Sequence, residues 1–353
     1  MNSLNRMIST GAGLVLMILL SGCLEISMNT RVNRDGTLVR TQTLSGDSAE
    51  ILDHRFPTLV DSSWTITMVQ DTASGKKEWK RVAMKSYESA DTMNRDTVAG
   101  LSLRVRATFE KRFRWFFTEY SYTETYLCYS PFHTLPMTSF VSQAELDQAY
   151  RHEVGKKPFA SSADSIAMKL TESRYMEWRS RCIFNSWVAV LRDGIIALKN
   201  PALPVSALDS HGEELYQRSK DLLEASGNTD TLLTVARQVL KSPLVRKAVQ
   251  MNPQGFAAHK AKLNFVEDVA HSLKAGVTMP GLIIDTNAPT VEGNTAVWKD
   301  IDGWAYISDF DVWVKSRVIN WWAVVVGGIV VVGALGLLIA GVLRRRSAPS
   351  PAA

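Results

Sequence analysis

Cysteine and histidine give this chain its widest chemical range, so their placement comes first. Of the three cysteines, Cys23 closes an apolar stretch near the N-terminus, while Cys128 and Cys182 lie far apart in sequence. Neither of these two sits in a C-x-x-C motif or has a partner at metal-ligand spacing. Outside the cytoplasm they can pair as a disulfide; the alternative is two buried free thiols. The six histidines include no H-E-x-x-H pattern and no pair four residues apart, so no metal site is expected. His211-Gly212-Glu213-Glu214 reads as a helix start, where acids suit the helix dipole. There is no G-x-S-x-G elbow, P-loop or G-x-G-x-x-G run. Ser74-Gly75-Lys76-Lys77 satisfies S-x-x-K, but in a turn it lacks a helix to align the two side chains. Asp300-Ile301-Asp302-Gly303 lacks the distal bidentate acid of a calcium loop. No catalytic residue, metal or cofactor is assigned, and a non-enzymatic role is the expectation.

The best candidate surface is the run Lys111 to Phe117. Read as one long strand from Leu101, it places Arg112 and Arg114 on one face and Phe113, Trp115 and Phe117 on the other. Such a strand either meets lipid headgroups or an acidic partner, or is a core strand with a solvated charged face. Tyr120, Tyr122, Tyr126, Trp178 and Trp187 read as aromatic core.

The elements that must position these residues begin at the two chain ends. Arg6 and the apolar run Gly11 to Leu20 form an export signal, too short for a comfortable membrane span. At the other end, Trp321 to Leu343 is a 23-residue uncharged run. As a helix it is about 35 Å long, enough to cross a bilayer. Trp321 and Trp322 stand at one end as interfacial aromatics, and Arg344, Arg345 and Arg346 at the other. The positive-inside rule then puts the C-terminus in the cytoplasm. The whole chain has 40 basic and 35 acidic residues, a net charge of +5; beyond that cluster the charge nearly balances, which gives little support for nucleic-acid binding.

Between the ends the hydrophobic period changes twice. Ile26 to Val32 and Thr37 to Leu44 alternate around the turn Asn33-Arg34-Asp35-Gly36, a β-hairpin signature. Further strands are expected at 64–70 and 79–86, with a short helix at 48–56. From about Phe140 the period is helical. Helices are expected at 163–170, 172–198, 206–226, 229–252 and 264–274. Strands return at 277–285, 294–299 and 305–308. The expected fold is α+β: one antiparallel sheet built from both ends of the extracytoplasmic region, a mostly helical insertion, and a C-terminal transmembrane helix. The divisions are 1–22 signal peptide, 23–139 β-rich half, 140–275 helical insertion, 276–317 returning strands, 318–343 membrane helix and 344–353 basic tail.

Leu20-Ser21-Gly22-Cys23 resembles the lipobox of bacterial lipoproteins, which implies cleavage before Cys23 and acylation of its sulfur. That pattern, the hairpin that follows it, the run Thr278-Met279-Pro280-Gly281 with Asp285-Thr286-Asn287-Ala288 and Gly293 to Trp298, and the terminal helix together resemble the LppM-like or DUF3153-like group of bacterial lipoproteins. The resemblance leaves out the helical middle. It implies a membrane-held β domain outside the cytoplasm and carries over no site.

The two anchors suggest a domain tied at both ends to the outer face of the cytoplasmic (inner) membrane and lying close to it. Its expected role is a membrane-proximal binding or scaffold module, with membrane lipids and an envelope protein as partners and no nucleic acid. A lipid-handling module and an envelope hydrolase with a dispersed site are the alternatives.

Overall fold

The structure is a computed structural model that describes residues 24–71, 78–96, 102–153, 161–225, 229–269 and 273–346. Cys23, the signal segment, the Ser74 to Lys77 turn and the tail beyond Arg346 lie outside the described residues.

Among the described residues, eleven strands form two sheets. The larger has the order β3 (Thr65–Asp71), β4 (Glu78–Tyr87), β2 (Leu38–Gly46), β1 (Glu25–Val32), β7 (Leu273–Thr278), β10 (Thr295–Trp298) and β9 (Thr290–Glu292). The smaller has the order β5 (Val105–Arg114), β6 (Phe117–Tyr126), β11 (Phe310–Ile319) and β8 (Leu282–Thr286). Every pairing is antiparallel except β1 with β7. Both sheets combine strands from the two ends of the chain, as expected, but the expected single sheet is divided. Pro280-Gly281 is the divider. It turns the chain from β7 in one sheet to β8 in the other, with Gly281 at a φ of 82°. A Cβ there would lie 2.4 Å from the Arg317 carbonyl oxygen, so only glycine fits.

The first hairpin forms as its alternation dictates. Ile26, Met28, Thr30 and Val32 point inward, opposite Leu38, Arg40, Gln42 and Leu44. Gly36 takes the positive φ of the turn, and the Asp35 carboxylate accepts the Thr37 N–H. The inner faces of the two sheets share one core with the helices.

The helices are α1 (Ser48–Asp53), α2 (Ala90–Arg95), α3 (Gln143–Glu153), α4 (Ser162–Leu198), α5 (Val205–Ser210), α6 (Gly212–Ala225), α7 (Thr229–Val239), α8 (Leu244–Met251), α9 (Pro253–Val269), α10 (Ile301–Ile307) and α11 (Trp321–Arg346). Residues 163–198 make one helix rather than two; Thr171 lies within it, its hydroxyl bonded to the Ala167 carbonyl. Residues 206–226 divide at His211, and 229–252 divide before Pro243. Pro253 opens α9 instead of ending a helix, since the first helical position needs no N–H. Of residues 305–308, expected as a strand, 305–307 belong to α10 and Ser308 caps it; the helix packs Ile301, Ala305 and Tyr306 inward at helical spacing.

Candidate membrane-docking site

The run Lys111 to Phe117 is not one strand. It turns at Trp115 and Phe116 and returns as β6, with Arg114 opposite Phe117. Residues directly opposite share a sheet face, so Phe117 lies on the arginine face, contrary to the continuous-strand reading. The Arg317 guanidinium sits 3.9 Å above its ring. Trp115 holds a φ of 51°, a conformation that hairpin turns normally give to glycine or asparagine. A bulky aromatic there carries strain, and strain of this kind collects at functional positions.

The hairpin tip is built onto the start of α11. The Asn320 N–H donates to the Phe116 carbonyl at 2.8 Å, its Nδ2 donates to the Trp115 carbonyl at 2.9 Å, and its Oδ1 accepts the Thr118 hydroxyl at 3.0 Å. The same residue's carbonyl accepts the Ala323 N–H, opening the helix. The Phe113 and Trp322 rings stack with centroids 6.1 Å apart, and Trp115 meets Trp322 edge-on. Gly327 leaves room for Phe116: a Cβ there would lie 3.0 Å from the ring. Gly327 is six residues beyond Trp321, about 9 Å along the helix. Hairpin and helix therefore run side by side.

This end of the domain is apolar and uncovered. Phe113, Trp115, Phe116, Leu282, Ile319 and Trp321 are all exposed. Around it stand Arg112, Arg114 and Arg317. Glu119 accepts from Arg317 at 3.0 Å and from Arg114 at 3.3 Å, and these bonds hold its carboxyl below the usual range. Arg112 pairs with Glu110 at 2.7 Å, which raises it. An apolar tip with a cationic collar has the chemistry of a lipid interface. Helix α11 is apolar from Trp321 to Gly341 and long enough to cross a bilayer; its last turn carries Arg344, Arg345 and Arg346.

The fold separates the two chain ends. β1 runs toward the hairpin tip: the Lys111 ammonium donates to the Arg34 carbonyl just past its end, and Thr30 bonds Glu124 farther back. Glu25 thus lies at the far end from α11. Cys23, the expected lipid anchor, lies outside the described residues.

Other candidates resolve differently. Cys128 and Cys182 are both free. Their sulfurs turn to different carbonyls, Cys128 to Tyr306 at 3.3 Å and Cys182 to Leu135 at 3.9 Å, so the disulfide left open by the sequence is not made. His133 Nε2 lies 3.7 Å from the Cys128 sulfur, yet burial pushes that thiol up, away from a reactive thiolate. Tyr120, Tyr122, Tyr126, Trp178 and Trp187 are buried core, as read.

Sequence reasoning missed Glu124. It lies on the tyrosine face of β6, between the sheets, 2.5 Å from Arg40. Tyr122, Tyr126 and Thr30 donate to it as well. Burial raises this carboxyl, but Arg40 and the hydroxyl donors outweigh it, and it stays ionised. Its signal was an acid in register with three inward tyrosines.

No protein-family model matches the chain, and no curated protein matches it. Among solved structures, the folded domain of Mycobacterium tuberculosis LppM aligns over 85% of this chain and 92% of that one, at 7% identity and a TM-score of 0.25. The likeness is distant, and nothing below rests on it. The motif that carried the resemblance has a structural use. Asn287 Oδ1 accepts from Trp298 Nε1 and the Trp313 N–H, tying the two sheets together.

Proposed function

We propose that the chain is an extracytoplasmic binding or scaffold module held in the inner membrane by α11, with its C-terminus in the cytoplasm. The clamp of Asn320 on the β5–β6 hairpin supports this reading most directly. It makes domain and helix one stiff unit, so the domain stands on the bilayer at a set height. In this reading Trp115 and Phe116 enter the outer leaflet, Arg112, Arg114 and Arg317 meet lipid phosphates, and Arg344 to Arg346 face the cytoplasm. Acylation of Cys23 would put a second apolar group at the far end, available to another surface.

Photocrosslinking in native membranes tests the proposal. A benzophenone side chain at Phe116 should capture lipid, and one at an exposed site far from the tip, such as Met68, should capture a discrete envelope protein. Absence of lipid adducts at Phe116 would refute the docked hairpin. Absence of any discrete protein adduct across such sites would refute the scaffold role. The mass of the N-terminal peptide reports acylation of Cys23.

A further inference from the structure

A small cavity of about 40 Å³ lies where β2 and β4 meet α2 and the start of β5. That is room for a few water-sized atoms, far below the volume of an organic-ligand pocket. Arg40 from β2 and Trp64 from the loop before β3 both line it. Both are more than nine-tenths buried, and among the described residues neither Arg40 Nη2 nor Trp64 Nε1 has a hydrogen-bond partner. Two stranded donors at one cavity are costly, because an indole N–H and a guanidinium can only donate. The acceptors around them are engaged elsewhere. Arg40 reaches Glu124 and Thr30 through Nη1, and Glu124 also takes bonds from Thr30, Tyr122 and Tyr126. Asp96 Oδ2 accepts from Lys85 Nζ at 2.6 Å and from the Tyr87 hydroxyl at 2.9 Å. Thr58 Oγ1 accepts from Gln42 Nε2.

We propose that this cavity binds a small monovalent inorganic anion, of halide or nitrate size. Arg40 Nη2 and Trp64 Nε1 offer donors only, and an anion is an acceptor that asks for no acceptor in return. A water molecule accepts as well, but it brings hydrogens that need partners of their own. The bond to an ionised acceptor is also the stronger one. Net charge limits the ligand further. Arg40 is matched by Glu124, and Lys85 by Asp96. A dianion such as sulfate meets those two carboxylates with twice the charge and loses more hydration on entry. The indole is held in place edge-on to the Tyr87 ring, with centroids 6.4 Å apart. Leu59 of the lining is exposed, which gives the ion a way in. This site is independent of how the chain is held in its membrane.

The test is chloride NMR of the full chain in dodecyl maltoside, an uncharged detergent, with sodium gluconate setting the ionic strength. Adding protein should broaden the chloride line, and bromide or nitrate should reverse the broadening. Sulfate at equal ionic strength should not. Trp64→Phe keeps an aromatic ring and every charge but removes one donor, and should weaken the displaceable binding about tenfold. The paired change Arg40→Met with Glu124→Leu removes the other donor together with its counter-ion and should abolish it. That second variant keeps the test decisive if Trp64→Phe melts early. The proposal is overturned by no displaceable broadening, by equal displacement with sulfate, or by a signal unchanged in either variant.

Discussion

Glu119 and Glu124 stand on the same strand, each against arginine, in opposite environments. Glu119 faces outward at the hairpin-tip end, where water and salt screen its bonds to Arg114 and Arg317. Glu124 faces inward, where Arg40 and three hydroxyls must supply everything water would. The chemistry is shared, but the consequence of losing a partner is not. An exposed ion pair is replaceable by solvent, whereas a buried one leaves a stranded charge.

The largest test of this contrast is Glu124→Gln. It leaves Arg40 charged and without its counter-ion between two sheets, and should cost about 3–5 kcal/mol in chemical unfolding. The double change Arg40→Met with Glu124→Leu should recover most of that loss. A double variant as unstable as the single one would show that the pair specifies the packing.

A buried group without a counter-charge sharpens the comparison. His259 is buried, with its Nδ1 by Ser186 and no partner for Nε2 among the described residues. Burial, with Lys262 adding, pushes its pKa down to about 4 from 6.5. The unfolded chain takes up the proton first. Stability is therefore full above pH 6.5 and falls as pH drops toward 4, by about 3 kcal/mol. His259→Gln should flatten that window in pH-dependent melts. Glu124 has the same sign in a more acid window: its folded value is lowered, so its contribution is full above 4.5 and is lost as pH falls from there through the lower folded value.

Asn320→Ala removes two side-chain hydrogen bonds to the hairpin, to the Trp115 carbonyl and from the Thr118 hydroxyl, and should cost about 1–2 kcal/mol. Hydrogen exchange of the Trp115 to Thr118 amides should accelerate in a lipid-embedded sample, with strand centres unchanged. The smallest effect belongs to Glu119→Gln, whose influence on melting should vanish at high salt.

What the sequence revealed follows from where the information is stored. α11 and the β1–β2 hairpin are written locally, in an unbroken apolar run and in Asn33 to Gly36, and both were legible. The turn at Trp115 and Phe116 was not, because neither residue has turn chemistry and the positive φ is imposed by Asn320, more than two hundred residues on. Residues 305–308 alternate like a strand, but the inward positions that matter are spaced as a helix from Ile301. The division into two sheets rests on non-local pairings that no window contains. Glu124 looked like one more polar residue on a strand because its partner arrives from another sheet.

The direction of β1 also has a mechanical consequence. It is a central strand, joined to β2 through eight residue pairs and to β7 through six. Tension applied between its Glu25 end and α11 acts along the strand axis. The flanking hydrogen bonds are then loaded in shear, many at once, instead of being unzipped singly. A domain pulled in this way would resist far better than its thermal stability suggests.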